Sequence, residues 1–157
     1  MKRLLIALAA PAVLFCSSAM AQGVEPLMFG GKLGFFKPHG SDNDAGLNVG
    51  AVLGKRIQGN VSWEAELNLG LTDGQIGRNN DYKINSVAGY AVYRTPGNTH
   101  LKAKLGIAYW DDDFDNDTNL TAGIGLGFAL GRGTLDVEYT QINDYVDYIT
   151  VGYLLPF

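Results

Sequence analysis

Cysteine is almost missing from this sequence. The 157 residues hold one, Cys16. With the only thiol at the amino end, the rest of the chain has no internal disulfide, no cysteine metal site and no thiol nucleophile. Long hydrophobic runs are missing as well. Beyond residue 21 no apolar stretch reaches 18 residues, so there is no transmembrane helix. Positive charge is in deficit, with 12 Lys and Arg against 16 Asp and Glu. Leaving out Lys2 and Arg3 moves the net charge from −4 to −6, which argues against nucleic-acid binding.

Residues 1–21 read as a signal peptide. Lys2 and Arg3 form a basic start, Leu4 to Phe15 an apolar run, and Ala19-Met20-Ala21 a small-residue cleavage site before Gln22. The run is too short for a retained membrane helix, which needs roughly 20 apolar residues. Lipidation at Cys16 is disfavoured because bulky Phe15 precedes it. The expected mature domain is 22–157, and all 21 glycines fall within it.

That domain repeats with a period of two. In 61–72 the odd positions are Val61, Trp63, Ala65, Leu67, Leu69 and Leu71, and the even ones Ser62, Glu64, Glu66, Asn68, Gly70 and Thr72. Such alternation makes a strand with one apolar and one polar face. Strands are expected over 27–37, 47–56, 61–72, 82–94, 100–110, 119–130, 134–142 and 148–157. The links 57–60, 95–99 and 131–133 are short and rich in turn-forming residues. The links 38–46, 73–81, 111–118 and 143–147 are longer and polar. Short turns at one end and longer loops at the other fit an all-β, eight-stranded antiparallel up-and-down transmembrane β-barrel. Ten residues at about 3.3 Å each, tilted about 45°, span roughly 23 Å, close to the apolar band of such a barrel.

Side-chain volume says which face is outside. In 120–130 one face carries Leu120, Ala122, Ile124, Leu126, Phe128 and Leu130, the other Thr121, Gly123, Gly125, Gly127 and Ala129. Eight strands enclose a lumen barely wide enough for side chains, so the glycine face points in and the bulky face meets lipid. Phe29, Trp63, Phe128 and Phe157 are expected outward near the periplasmic end. Phe35, Tyr82, Tyr109 and Tyr139 are expected outward near the other, as two interfacial belts.

The same parity places Lys32, Arg56, Lys83, Lys102 and Lys104 inside with Glu64, Glu66, Asp136 and Glu138. Confined charges are costly unless paired, so these nine residues form the expected ion-pair network. Inward glycines such as Gly106, Gly123 and Gly125 leave room for it. The other acids gather in the long loops, including Asp111, Asp113, Asp115 and Asp117. They read as a solvated extracellular rim or, more sharply, as oxygen ligands for a divalent cation. His39 and Ser41 fall in a turn-rich loop, where Pro38 and Gly40 explain the segment without catalysis.

The residues of 137–142, Val-Glu-Tyr-Thr-Gln-Ile, followed by Val-Gly-Tyr-Leu-Leu-Pro-Phe of 151–157, resemble the final hairpin of the small outer-membrane β-barrel domain family. These are the porin-like relatives of the OmpA and OmpX barrels. Segments 91–97 and 104–109 are similar to that family too, so the resemblance covers 27–157. Pro156 departs from it, since an aromatic or basic residue is more familiar there. The resemblance implies that Tyr153, Leu155 and Phe157 form the signal read by the barrel-assembly machinery, and that no peptidoglycan-binding domain is present. The expected role is a structural or surface-interaction protein of the bacterial outer membrane, in contact with lipid and lipopolysaccharide, with a filled lumen, no cofactor and no enzymatic activity. The alternatives are a narrow porin-like channel and, third, a lipid A-modifying enzyme.

Overall fold

The computed structural model describes residues 26–38, 43–76, 80–111, 116–143 and 146–156. Eight long antiparallel strands close on themselves: β1 (Leu27–Pro38), β3 (Gly46–Gln58), β4 (Val61–Gly70), β7 (Asn85–Arg94), β8 (Thr99–Asp111), β9 (Asn116–Leu130), β10 (Gly133–Asn143) and β11 (Val146–Pro156). Each pairs with its neighbour in this order. The last strand returns to the first, from Met28 opposite Pro156 to Pro38 opposite Val146. Closure removes every sheet edge, which a barrel in lipid requires. Among the described residues there is no helix long and apolar enough to cross a membrane, so any crossing is made by strands.

The tight links lie at one rim. Gly59 and Gly131 take φ of +56° and +62° there, a conformation that side chains with a Cβ rarely adopt. At the other rim the longer links hold more structure than expected. Three short strands, β2 (Asn43–Asp44), β5 (Gly74–Ile76) and β6 (Asn80–Tyr82), form a separate small sheet in the order β2-β5-β6. Composition alone reads as polar loop, because nothing local marks a two- or three-residue strand. Tyr82 fastens the sheet to the barrel. Its ring meets Phe36 edge-on at 5.5 Å, and its hydroxyl donates to the carbonyls of Asp44 at 2.9 Å and Phe36 at 3.4 Å. Burial, with Asp44 nearby, pushes that hydroxyl up to about 12, so it stays a donor.

Side chains sort as a membrane barrel demands. Leu33, Leu105, Ile107, Leu120, Ile124 and Ile149 stand on the outer surface, each more than half exposed. Lys32, Glu64, Glu66, Lys102, Asp136 and Glu138 are at most 2% exposed inside. Phe29, Phe35, Phe128, Tyr109 and Tyr139 point outward. Tyr82 does not: it is 1% exposed. Residues 83 and 84 interrupt the strand expected over 82–94, and from Asn85 onward the even positions Ser86, Ala88, Tyr90 and Val92 face inward. Both faces of this segment mix one large ring with small residues, so hydropathy could not assign them.

Candidate functional site

The lumen has two layers. Toward the long loops lie Phe36, Tyr82, Ile84, Ile142, Val146 and Tyr148, an apolar and aromatic cap. Below it, toward the short turns, the charges meet. Most of the long side chains fit because they lie across a glycine on the neighbouring strand. Lys32 is opposite Gly152, Glu64 opposite Gly54, Lys104 opposite Gly123, Glu138 opposite Gly125, and both His100 and Asp136 are opposite Gly127. A Cβ on Gly152, Gly54, Gly123 or Gly125 would come within 2.8–3.0 Å of the facing side chain. The lumen is therefore filled, with its glycines as the mould.

Within it, four residues form a ring of alternating charge. Lys32 Nζ lies 2.6 Å from Glu66 Oε1 and 3.0 Å from Glu138 Oε2. Lys104 Nζ lies 2.8 Å from each of the same two oxygens, and 4.3 Å above the centre of the Tyr90 ring. Glu138 Oε1 continues the network to Lys102 Nζ at 2.8 Å. Lys102 also reaches Glu64 Oε2 at 2.7 Å and Asp136 Oδ2 at 3.2 Å. Arg94 ends the network at the short-turn mouth. Its guanidinium donates to Glu64 and to Ser62 Oγ, the latter at 2.8 Å, and lies 3.6 Å from Asp136. Every carboxylate of this group has at least two cationic neighbours. Four carboxylates, Glu64, Glu66, Asp136 and Glu138, balance four permanent cations, Lys32, Arg94, Lys102 and Lys104. Such balance limits the cost of burying charge at this depth.

Seven of the nine residues expected in the network thus lie together, and two do not. Arg56 is exposed at the short-turn rim, opposite Ser62 and next to the register shift between Arg56 and Gln58. Lys83 is 40% exposed and 4.0 Å from Asp73 at the loop rim, because the strand break at 83–84 turns it outward. Two residues not expected in the network join instead. Arg94 replaces the missing charge. Its signal was the even parity of β7, hidden by that segment's ambiguous faces. His100 Nε2 stands 3.7 Å from Asp136 Oδ1. It shares even parity with Lys102 and Lys104, which pointed inward all along.

At the loop rim Asp111 and Asp117 sit on the adjacent strands β8 and β9, and Asp117 Oδ1 accepts from the Thr118 amide at 2.7 Å. Asp113 and Asp115 lie outside the described residues, as do residues 1–21, His39, Ser41 and Phe157. Among the described residues no three His, Cys, Asp or Glu are grouped to hold a metal ion. On β11, Tyr153 and Leu155 share the outer face, and the Tyr153 hydroxyl donates to the Leu130 carbonyl at 2.8 Å.

No curated protein matches the sequence significantly. Among solved structures, Neisserial surface protein A is similar over 87% of this chain and 100% of its own, at 16% identity and a TM-score of 0.64. The Yersinia pestis outer membrane protein Ail is similar over 83% and 99%, at 16% identity and a TM-score of 0.54. The outer membrane enzyme PagL is similar over 83% and 99%, at 17% identity and a TM-score of 0.51. At such identities the likeness is one of fold. The family model of the outer membrane protein beta-barrel domain matches residues 7–152. With its closed eight-stranded wall, apolar outside and charged inside, this chain belongs to that outer-membrane family.

Proposed function

We propose that the protein is a structural or surface-interaction barrel of the outer membrane that acts through its outer face and long loops, with the lumen shut. The observation that carries this is the continuous network from Arg94 to Glu66, whose side chains are almost wholly buried. Opening a path would separate several desolvated pairs at once, each costly to break. In this reading residues 1–21 are a cleaved export signal, and the barrel-assembly machinery recognises Tyr153, Leu155 and Phe157. The barrel then stands among phospholipid and lipopolysaccharide, and the acidic loops form a solvated rim. It catalyses no reaction and needs no cofactor. PagL supports only the fold here.

Planar-bilayer recording of the refolded protein tests the reading. The expected trace is closed, with at most brief, small openings. A large, steady conductance overturns it in favour of a narrow channel. Mass spectrometry of lipid A from expressing cells checks the enzymatic alternative, with an unchanged pattern expected.

A further inference from the structure

The lumen does not use every cation at the short-turn end. Lys55, Arg56 and Arg132 lie at that rim outside the network, and no hydrogen bond or ion pair joins them to any described residue. The described carboxylates of that half, Glu64, Glu66, Asp136 and Glu138, are all buried in the network.

Lys55 is the most constrained of the three. On β3 the inward positions are Val52 and Gly54, so Lys55 faces outward with Leu53 and Ile57 on the same side. Ile57 is 62% exposed. The cross-strand partners of Lys55 are Leu27 and Trp63. This cation, set among apolar side chains on a lipid-facing wall, has no counter-ion among the described residues. Its long stem lets the ammonium reach the headgroup layer, the level at which a tryptophan such as Trp63 sits. Exposed Arg56 is next in the chain. Across the barrel, Arg132 follows Gly131 in the tight turn covered by Tyr153, whose hydroxyl is held by Leu130. The opposite rim carries the reverse sign, with Asp44, Asp73, Asp111 and Asp117 exposed there.

We propose that this rim binds the phosphate headgroups of anionic phospholipids in the periplasmic leaflet, with Lys55, beside Trp63 on the outer face, as the main contact and exposed Arg56 supporting it from the rim. The proposal rests on the membrane placement given above. It adds a leaflet, a headgroup charge and the residues that select it. The barrel thereby gains an orientation-specific electrostatic anchor at the end where its loops are shortest.

The test uses the full barrel in nanodiscs of mixed phosphatidylcholine and phosphatidylglycerol, with retained lipids identified by native mass spectrometry. A heat-modifiable gel shift first reports insertion, and failure to insert would overturn the membrane reading itself. For inserted protein, enrichment of phosphatidylglycerol is expected. The double variant Lys55→Gln/Arg56→Gln should cut that enrichment roughly five- to tenfold. The loop-rim variant Lys37→Gln/Lys83→Gln should leave it unchanged. No enrichment, equal loss in both variants, or complete displacement of the lipid by inorganic phosphate would each overturn the proposal.

Discussion

Glu138 touches three lysines, Lys32, Lys102 and Lys104, whereas Glu66 touches two. Removing its charge leaves three buried ammonium groups short of a partner. Glu138→Gln should therefore destabilise the barrel by about 3–5 kcal/mol, as for a broken buried pair. Lys104→Met should cost less, because Lys32 still holds both carboxylates that Lys104 bridged. The double change should cost less than the sum of the two. Urea titrations in lipid measure all three, and strictly additive losses would show that the ring does not act as a unit. Glycines offer a second contrast. A Cβ on Gly106 would run into the backbone carbonyl of Gly89 on β7, while a Cβ on Gly89 meets nothing within 4 Å. Gly106→Ala should thus lower stability clearly and Gly89→Ala hardly at all, in the same titration.

At the scale of the strand, parity carries the consequence. Leu67 on β4 and Ile124 on β9 point into lipid, 44% and 68% exposed. Arginine at either site should cost about 2–4 kcal/mol if it lies near the bilayer midplane. Near-zero cost at both would contradict the inside-out sorting. β7 shows where parity falters. Apart from Tyr90, Tyr93 and the terminal Arg94 its residues are small on both faces, so either face could have been the lipid one. The lumen decides, because Tyr90 can lie under the Lys104 ammonium there, and Arg94 then falls beside Glu64.

For the whole molecule, charge is arranged along the barrel axis: acidic at the loop rim, balanced and buried in the middle, basic at the short turns. Leu27 and Pro156 lie at the short-turn rim; with that rim periplasmic, as proposed above, the link between β8 and β9 is expected to face the cell exterior. A protease site inserted near Asp115 should be cut on intact cells. Cutting only after the outer membrane is permeabilised would reverse the orientation. The small sheet held by Tyr82 and Phe36 gives part of the loop rim a defined structure, the surface that the proposed surface role would use.

By itself the sequence determined the class, the strand count and most of the wall. A period of two, glycine-rich inward faces and alternating link lengths are local properties, and a narrow closed lumen leaves one consistent way to use them. It also determined that charges would share the interior, since parity alone places Lys32, Lys102 and Lys104 on the same side as the four acids. Only the tertiary structure decided which charges meet. Pairing depends on register between strands distant in sequence: Lys32 and Glu138 are 106 residues apart. A strand break at 83–84 turns Lys83 outward and Arg56 ends exposed at the short-turn rim, while Arg94 closes the mouth in their place. Those choices follow from closing eight strands around a fixed volume, where most long side chains lie across a glycine and each must find an opposite charge within reach.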